Sequence, residues 1–344
     1  MERVSKPSLA DGVRVFATCP PSNRVDRGKY LAVVRKVAQW SEQAGCEGIL
    51  VYTDNGLMDP WIVAQAIVTS TERLSPLVAV QPVYMHPYAV AKLVATFGAL
   101  YQRRLWLNLV AGGFTTDLAA LKDHTAHDRR YDRVFEYTSI ISGLLASDGP
   151  VTFDGEFYQV KNLKMTPPLE PTLAPGITLS GSSAAGIGVA RRLGAIAIQY
   201  PRPVHEYEAD PPDVSMALGI RIGIIARQDG EEAWRLARER FPEDRKGQVA
   251  HQLAMKVSDS SWHKQLSDLA RRPVEDAQPY WLVPFENYKT FCPYLVGSYD
   301  RVAAEVARYI ALGYRTVILD VPESPEELEH IGIVFTRAVA ATGA

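Results

Sequence analysis

GITLSGSSAAGIGVARRL, residues 176–193, is an apolar run that stops at a Gly-Ser-Ser cluster and passes at once into a helix-forming run. It reads as one strand, one tight turn and one helix, so the fold turns on whether that unit repeats. Reading outward, it does. Strand-like runs occur at 13–18 (VRVFAT), 47–52 (EGILVY), 75–82 (SPLVAVQP), 104–110 (RLWLNLV), 195–200 (AIAIQY), 220–227 (IRIGIIAR) and 316–320 (TVILD). Helical patterns occupy 29–44, closed by Gly45, then 60–70, opened by Pro60, then 87–100, 128–145 and 325–339. Eight strands, most followed by a helix, predict an α/β fold of the TIM (β/α)8 type, read as a single domain over 1–344. A doubly wound open sheet is the alternative, weakened because no GxGxxG follows the first strand.

Two segments break the rhythm. Residues 151–165 (VTFDGEFYQVKNLKM) alternate apolar and polar around Asp154-Gly155, the pattern of a hairpin. Residues 240–300 hold a helical stretch and then the aromatic, proline-rich QPYWLVPFENYKTFCPY, expected to form a lid, a pocket wall or a subunit contact.

Composition narrows the classes of function. A net charge of −2 and a pI near 6.4 give no general attraction to nucleic acid or to an anionic membrane. No apolar run is long enough to cross a bilayer, and MERVSKPSLADG lacks the apolar core of a signal peptide. The three cysteines, Cys19, Cys46 and Cys292, lie far apart and suit a reducing compartment, so a cytoplasmic location is expected.

In such a barrel the active site lies where strands end. That rule singles out Asp54 after the second strand, His86 after the third, Asn108 at the fourth, and Gly181, Ser182 and Ser183 after the fifth. Serine before a helix caps free N–H groups; the same N–H groups, the dipole and a glycine also cradle phosphate. Both readings stand on the motif alone. His127 and Tyr131 are four apart at a helix start, so both can face one anion, or they can be a cap neighbour and a packing residue. GxSxG, HxH and HExxH are absent and no metal site is expected.

Taken in order, LNLVAGG, HDRRYDRVFEY, VTFDGEFYQV, SGSSAAG and RRLGAIAIQY resemble the bacterial luciferase-like flavin monooxygenases, nearest to the alkanesulfonate monooxygenase branch. The resemblance runs through most of 13–227 and, more weakly, 300–340. It implies a TIM barrel with reduced FMN at the strand ends, Asn108 against the flavin, and His127, Tyr131, Ser182 and Ser183 on its phosphate. Asp54 and Gly181 complete the expected cofactor set. The sulfonate side departs from that branch: Leu57 stands for a cysteine, Gly223 for a histidine, and Pro322 and Ser324 for a tyrosine and a histidine. A long mobile loop is shortened to FCPYLVGSY (291–299).

The expected function is therefore FMN-dependent oxygenation of a small organic substrate, not a simple alkanesulfonate, by molecular oxygen. A separate NAD(P)H-dependent flavin reductase is expected to supply reduced FMN, since no second nucleotide motif is present. A homodimer or homotetramer is expected, without nucleic acid or membrane partners. Deazaflavin-dependent hydride transfer and flavin binding without turnover are the alternatives. Two residues are the catalytic candidates. His86 titrates nearest neutrality but also reads as a loop histidine beside Pro87. Arg221 keeps its charge and would pair with an acidic substrate group or a developing anion, but also reads as half of a structural salt bridge.

Overall fold

The computed structural model describes residues 9–146, 149–270 and 278–343. The first eight residues, which carry most of the stretch read above for a signal peptide, lie outside them, as do 271–277 within the 240–300 insertion.

The strands are β1 (Arg14–Thr18), β2 (Gly48–Val51), β3 (Ser75–Val80), β4 (Trp106–Val110), β5 (Val151–Asp154), β6 (Gln159–Leu163), β7 (Gly176–Ser180), β8 (Ile196–Gln199), β9 (Leu218–Arg227), β10 (Tyr280–Trp281), β11 (Tyr294–Ser298) and β12 (Tyr314–Leu319). Eight of them close a parallel barrel in the order β1-β2-β3-β4-β7-β8-β9-β12, with β12 returning to β1. These are the eight strands expected from the sequence. Their residues are buried on both faces, so they read as near-continuous apolar runs.

The helices are α1 (Tyr30–Gln43), α2 (Pro60–Val68), α3 (Pro87–Tyr101), α4 (Thr115–Ala120), α5 (His127–Ala146), α6 (Ala184–Leu193), α7 (Gly230–Arg240), α8 (Arg245–Val257), α9 (Ser261–Ala270), α10 (Val283–Glu286), α11 (Tyr299–Ala311) and α12 (Pro325–Thr342). Local chemistry sets several starts. Asp59 Oδ1 accepts from the N–H groups of Trp61 and Ile62 at 3.0 and 3.1 Å ahead of α2, with Pro60 at its first position. Ser183 Oγ accepts from Gly186 N–H at 3.1 Å to open α6, and Gly194 closes that helix at φ +62°.

The barrel interior is plugged by Phe16, Leu50, Leu77, Trp106, Ile196, Ile198 and Ile318, with Phe16 and Trp106 edge to face at 5.2 Å. Gly176 makes room for the indole, since a Cβ there would sit 2.2 Å from the Trp106 ring. Side chains alternate along a strand, so the inward position two residues above each plug residue faces the C-terminal mouth. Tyr52, Ala79, Asn108, Tyr200 and Asp320 occupy that level.

The hairpin forms as expected, β5 antiparallel to β6, with the Glu136 carboxylate accepting from the N–H groups of Glu156, Phe157 and Tyr158 at 2.8–3.0 Å. The insertion departs from expectation. FCPYLVGSY, read as the remnant of a loop, contains β11, a ninth strand parallel to the upper half of β9. The lower half of β9, Leu218–Ile222, pairs with β12, while Gly223–Arg227 pairs with β11. Only five residues long and set among prolines and aromatics, β11 has no local pattern to announce it; long β9 supplies its pairing edge.

Candidate active site

A cavity of about 880 Å³ opens at the C-terminal end of the barrel. Asp54, Asn108, His127, Tyr131, Gly181, Ser182, Ser183 and Arg221 all line it, although they come from five separate chain segments. His86 is not among its lining residues. It is exposed and caps α3, its Nδ1 accepting from Tyr88 N–H at 3.2 Å, with its ring edge-on to Tyr158 at 5.8 Å. The structure thus holds this ring as a helix cap and does not bring it to the cavity, where a proton-transfer role was expected of it.

On one side of the cavity, the start of α5 meets the turn between β7 and α6. Tyr131 is 6% exposed and its ring lies edge-on to His127 at 5.3 Å. Burial pushes its phenol pKa up, partly offset by its hydrogen bond with Ser183. His127 Nδ1 lies 2.7 Å from Asp128 Oδ1. Gly181 is required beneath the phenol, because a Cβ there would come within 2.5 Å of Tyr131 Oη. Ser182 Oγ is buried without a hydrogen-bond partner. A buried hydroxyl left unpaired costs about 1–3 kcal/mol, so this atom fits a ligand that supplies an acceptor. The first N–H groups of α6 also lack partners inside the helix. This donor set suits a dianionic phosphate such as that of FMN, and Gly181 allows close approach.

Asn108 is buried, its Oδ1 accepting from Thr178 Oγ1 at 2.8 Å and Ser180 Oγ at 3.0 Å. Its amide N–H groups are thereby left as what it can offer the cavity. At the rim, Asp54 Oδ1 accepts from Gly56 N–H at 2.6 Å. Burial and the Asp54 charge push the Asp117 carboxyl up, and burial with those two carboxylates pushes Tyr84 to about 12.

Across the cavity the wall comes from β9, β12 and the insertion. Arg221, 4% exposed, donates to Tyr52 Oη and to Tyr200 Oη at 3.5 Å, and lies 3.8 Å from Asp320 Oδ1. Tyr294 Oη donates to the other Asp320 oxygen at 2.8 Å. Arg221 thus sits in a salt bridge and on the cavity wall together. Gly223, where the resembling branch has a histidine, has no room for one: a Cβ there would lie 2.3 Å from the Tyr294 ring. The departure at 223 is explained by β11, which delivers that ring. Trp262 stacks on Tyr200 at 3.7 Å, and His263 packs beside it with Ser258 Oγ at 3.0 Å from Nδ1. Burial and the nearby His251 push the His263 imidazole down to about 3, so it stays neutral.

Sequence reasoning missed Tyr52, Gln81, Trp262 and His263 of the cavity lining, and the role of Tyr294 behind it as the partner of Asp320. Counting by twos above Leu50 and Leu77 would have found the first two; the others depend on how the insertion folds back. Among the described residues, no group of three or more His, Cys, Asp or Glu side chains is placed to hold a metal ion, and no helix is long and apolar enough to cross a membrane.

The fold and the cavity define a (β/α)8 enzyme barrel with its site at the strand ends. Residues 13–316 match the profile of the luciferase-like monooxygenases, and the chain belongs to that family. A relative from Niallia circulans, the 4-(gamma-L-glutamylamino)butanoyl-[BtrI acyl-carrier protein] monooxygenase BtrO, is 34% identical over 331 residues, 94% of this chain and 96% of that protein. Riboflavin lyase, solved with modified FMN and riboflavin, shares the fold at a TM-score of 0.73 and 16% identity, covering 96% of this chain and 92% of its own. The oxygenating constituent of 3,6-diketocamphane monooxygenase from the CAM plasmid of Pseudomonas putida, solved with FMN, does so at a TM-score of 0.67 and 16% identity, covering 95% and 98%.

Proposed function

We propose that this monooxygenase works with reduced FMN, supplied by a separate NAD(P)H-dependent flavin reductase, and oxygenates an acyl group delivered on a carrier protein. The observation that carries the cofactor reading is the unpaired Ser182 Oγ beside Tyr131, Ser183 and the start of α6. Bound reduced flavin supplies the two electrons that activate molecular oxygen. The residues of this chain then have limited tasks. Ser182, Ser183, Tyr131 and His127 hold the phosphate. Asn108 offers N–H groups toward the ring, and Asp54 stands at the rim. Trp262 on Tyr200 excludes water from the reacting end. Arg221 presents positive charge to the substrate or to charge that develops on it.

The carrier-borne acyl substrate is supported by the Niallia circulans relative, whose similarity runs nearly end to end. The cavity lining carries Leu57 where the resembling branch has a cysteine, and Gly223 under the Tyr294 ring leaves no room for that branch's histidine; both argue against a simple alkanesulfonate, which needs compensating donors when it leaves water. The unpaired cysteines, all buried, fit action in a reducing cytoplasm; a homodimer or homotetramer and a single domain over the whole chain belong to the same proposal. The test is a titration with FMN and, in parallel, with a deazaflavin cofactor. A labelled-oxygen assay follows, with a flavin reductase and acyl groups presented on a carrier protein or as free acids. FMN binding and label in the carrier-borne product are expected. Preference for the deazaflavin, or no oxygen consumption, sinks the cofactor reading.

A further inference from the structure

Helix α8, RKGQVAHQLAMKV, borders the cavity through Ala254. Its inner side is fastened: His251 is 6% exposed with its ring 4.6 Å from that of Phe285. Its N-cap, Asp244, is paired with Lys289 of the cavity lining at 2.7 Å. The opposite side carries Arg245, Lys246, Val249, Gln252, Leu253 and Lys256, all exposed. Val249 and Leu253 are 50% and 57% exposed and one turn apart, so they make one apolar spot.

The charge of this face is unlike that of the chain. The helix holds three cations and no acid, in a protein of net charge −2. Of the acidic residues that flank it, Asp244 is engaged by Lys289 and Asp259 by Arg130, leaving Glu243. A cationic ring around a small apolar spot, on a helix that borders the cavity, is complementary to an acidic protein surface with an apolar residue at its centre.

We infer that the exposed face of α8 docks the acidic carrier protein that brings the acyl group to the cavity. The inference rests on the carrier-borne substrate proposed above and adds where the carrier sits. Two medium apolar side chains are a small membrane-inserting face, and no aromatic side chain on this face offers a stacking platform for bases, so a protein partner is favoured over lipid or nucleic acid.

The probe is a butanoyl group on the pantetheine arm of an acidic acyl carrier protein, followed by fluorescence anisotropy with the full chain at low and high salt. Lys246→Glu/Lys256→Glu is expected to weaken binding by about tenfold or more and to flatten its salt dependence. Leu253→Ser should weaken it several-fold at both salt concentrations. FMN titration of each variant controls for folding, and Lys246→Gln/Lys256→Gln replaces the charge reversal if that variant fails the control. Carrier binding that the variants leave unchanged overturns the proposal. So does no carrier binding by the parent, or tighter binding to phosphatidylserine vesicles than to the carrier. If the parent binds carrier but not FMN, the cofactor reading fails and the docking face stands.

Discussion

The two sides of the cavity are built on different principles. The side proposed to hold phosphate comes from the start of α5 and the turn from β7 to α6, with each segment contributing neighbours in sequence. The facing wall comes from β9, β12, residues 241–263 and residues 288–291, and it is tied together by contacts between residues far apart in the chain, such as Tyr294 with Asp320, 26 positions, and Arg221 with Tyr52, 169 positions. The first side is made of helix-start geometry that any chain with the right few residues adopts. The second exists only after β11 has paired with β9. The side proposed to hold phosphate thus rests on local motifs, while the facing wall depends on the packing of an insertion.

A buried link between the two sides is Arg130 of α5, 1% exposed and paired with Asp259 between α8 and α9. Asp259→Ala would leave a buried guanidinium without its partner, and a loss of about 3–5 kcal/mol in denaturant unfolding is expected. A loss below about 1 kcal/mol would mean that the two sides are not coupled here.

The next largest effect separates binding from turnover. Arg221→Leu is expected to lower turnover about 100-fold while FMN affinity stays close to the parent's. Equal losses in both would show Arg221 to be scaffolding for both sides. Its mirror is Tyr131→Phe, which should weaken FMN binding by about 1.5–3 kcal/mol, the value of a hydrogen bond to a charged group, and leave the fold of the insertion intact. Unchanged FMN affinity would place the phosphate elsewhere.

The smallest effect is a difference in pH response. His263 is held at about 3 by burial and the nearby His251, against 6.5 when free. Its folded-state pKa is depressed, so the unfolded chain binds the proton first. The stability it permits is complete above about pH 6.5 and is lost as pH falls toward 3, amounting to about 2 kcal/mol by pH 5. On the other side, burial would raise Asp123, yet hydrogen bonds from Arg133 and Thr125 outweigh it and hold the carboxyl at about 2. That contribution is present above the usual carboxylate range and is lost only as pH falls through 2. Hydrogen exchange, corrected for intrinsic rates, should show segment 245–270 losing protection between pH 6.5 and 5 while α5 does not. His263→Phe should remove the difference. Parallel loss in both segments would contradict it.

The sequence by itself determined the barrel, because alternating buried strands and amphipathic helices have few other ways to bury their apolar faces, and barrel topology gathers the strand ends wherever they lie in the chain. It also determined the local pieces beside Tyr131, the Ser183 cap and the His127–Tyr131 spacing, since caps and four-residue helical spacings are local; that these two segments meet was implied only by the family resemblance. His86 shows the limit of that rule: it follows a strand end, yet its ring serves the next helix rather than the cavity. What only the tertiary structure decided is the facing wall. A five-residue strand, a glycine covered by a distant tyrosine and an arginine partnered by two phenols and a carboxylate carry no periodic signal, because each depends on pairing between segments far apart in the chain, and such contacts form only when the whole barrel closes.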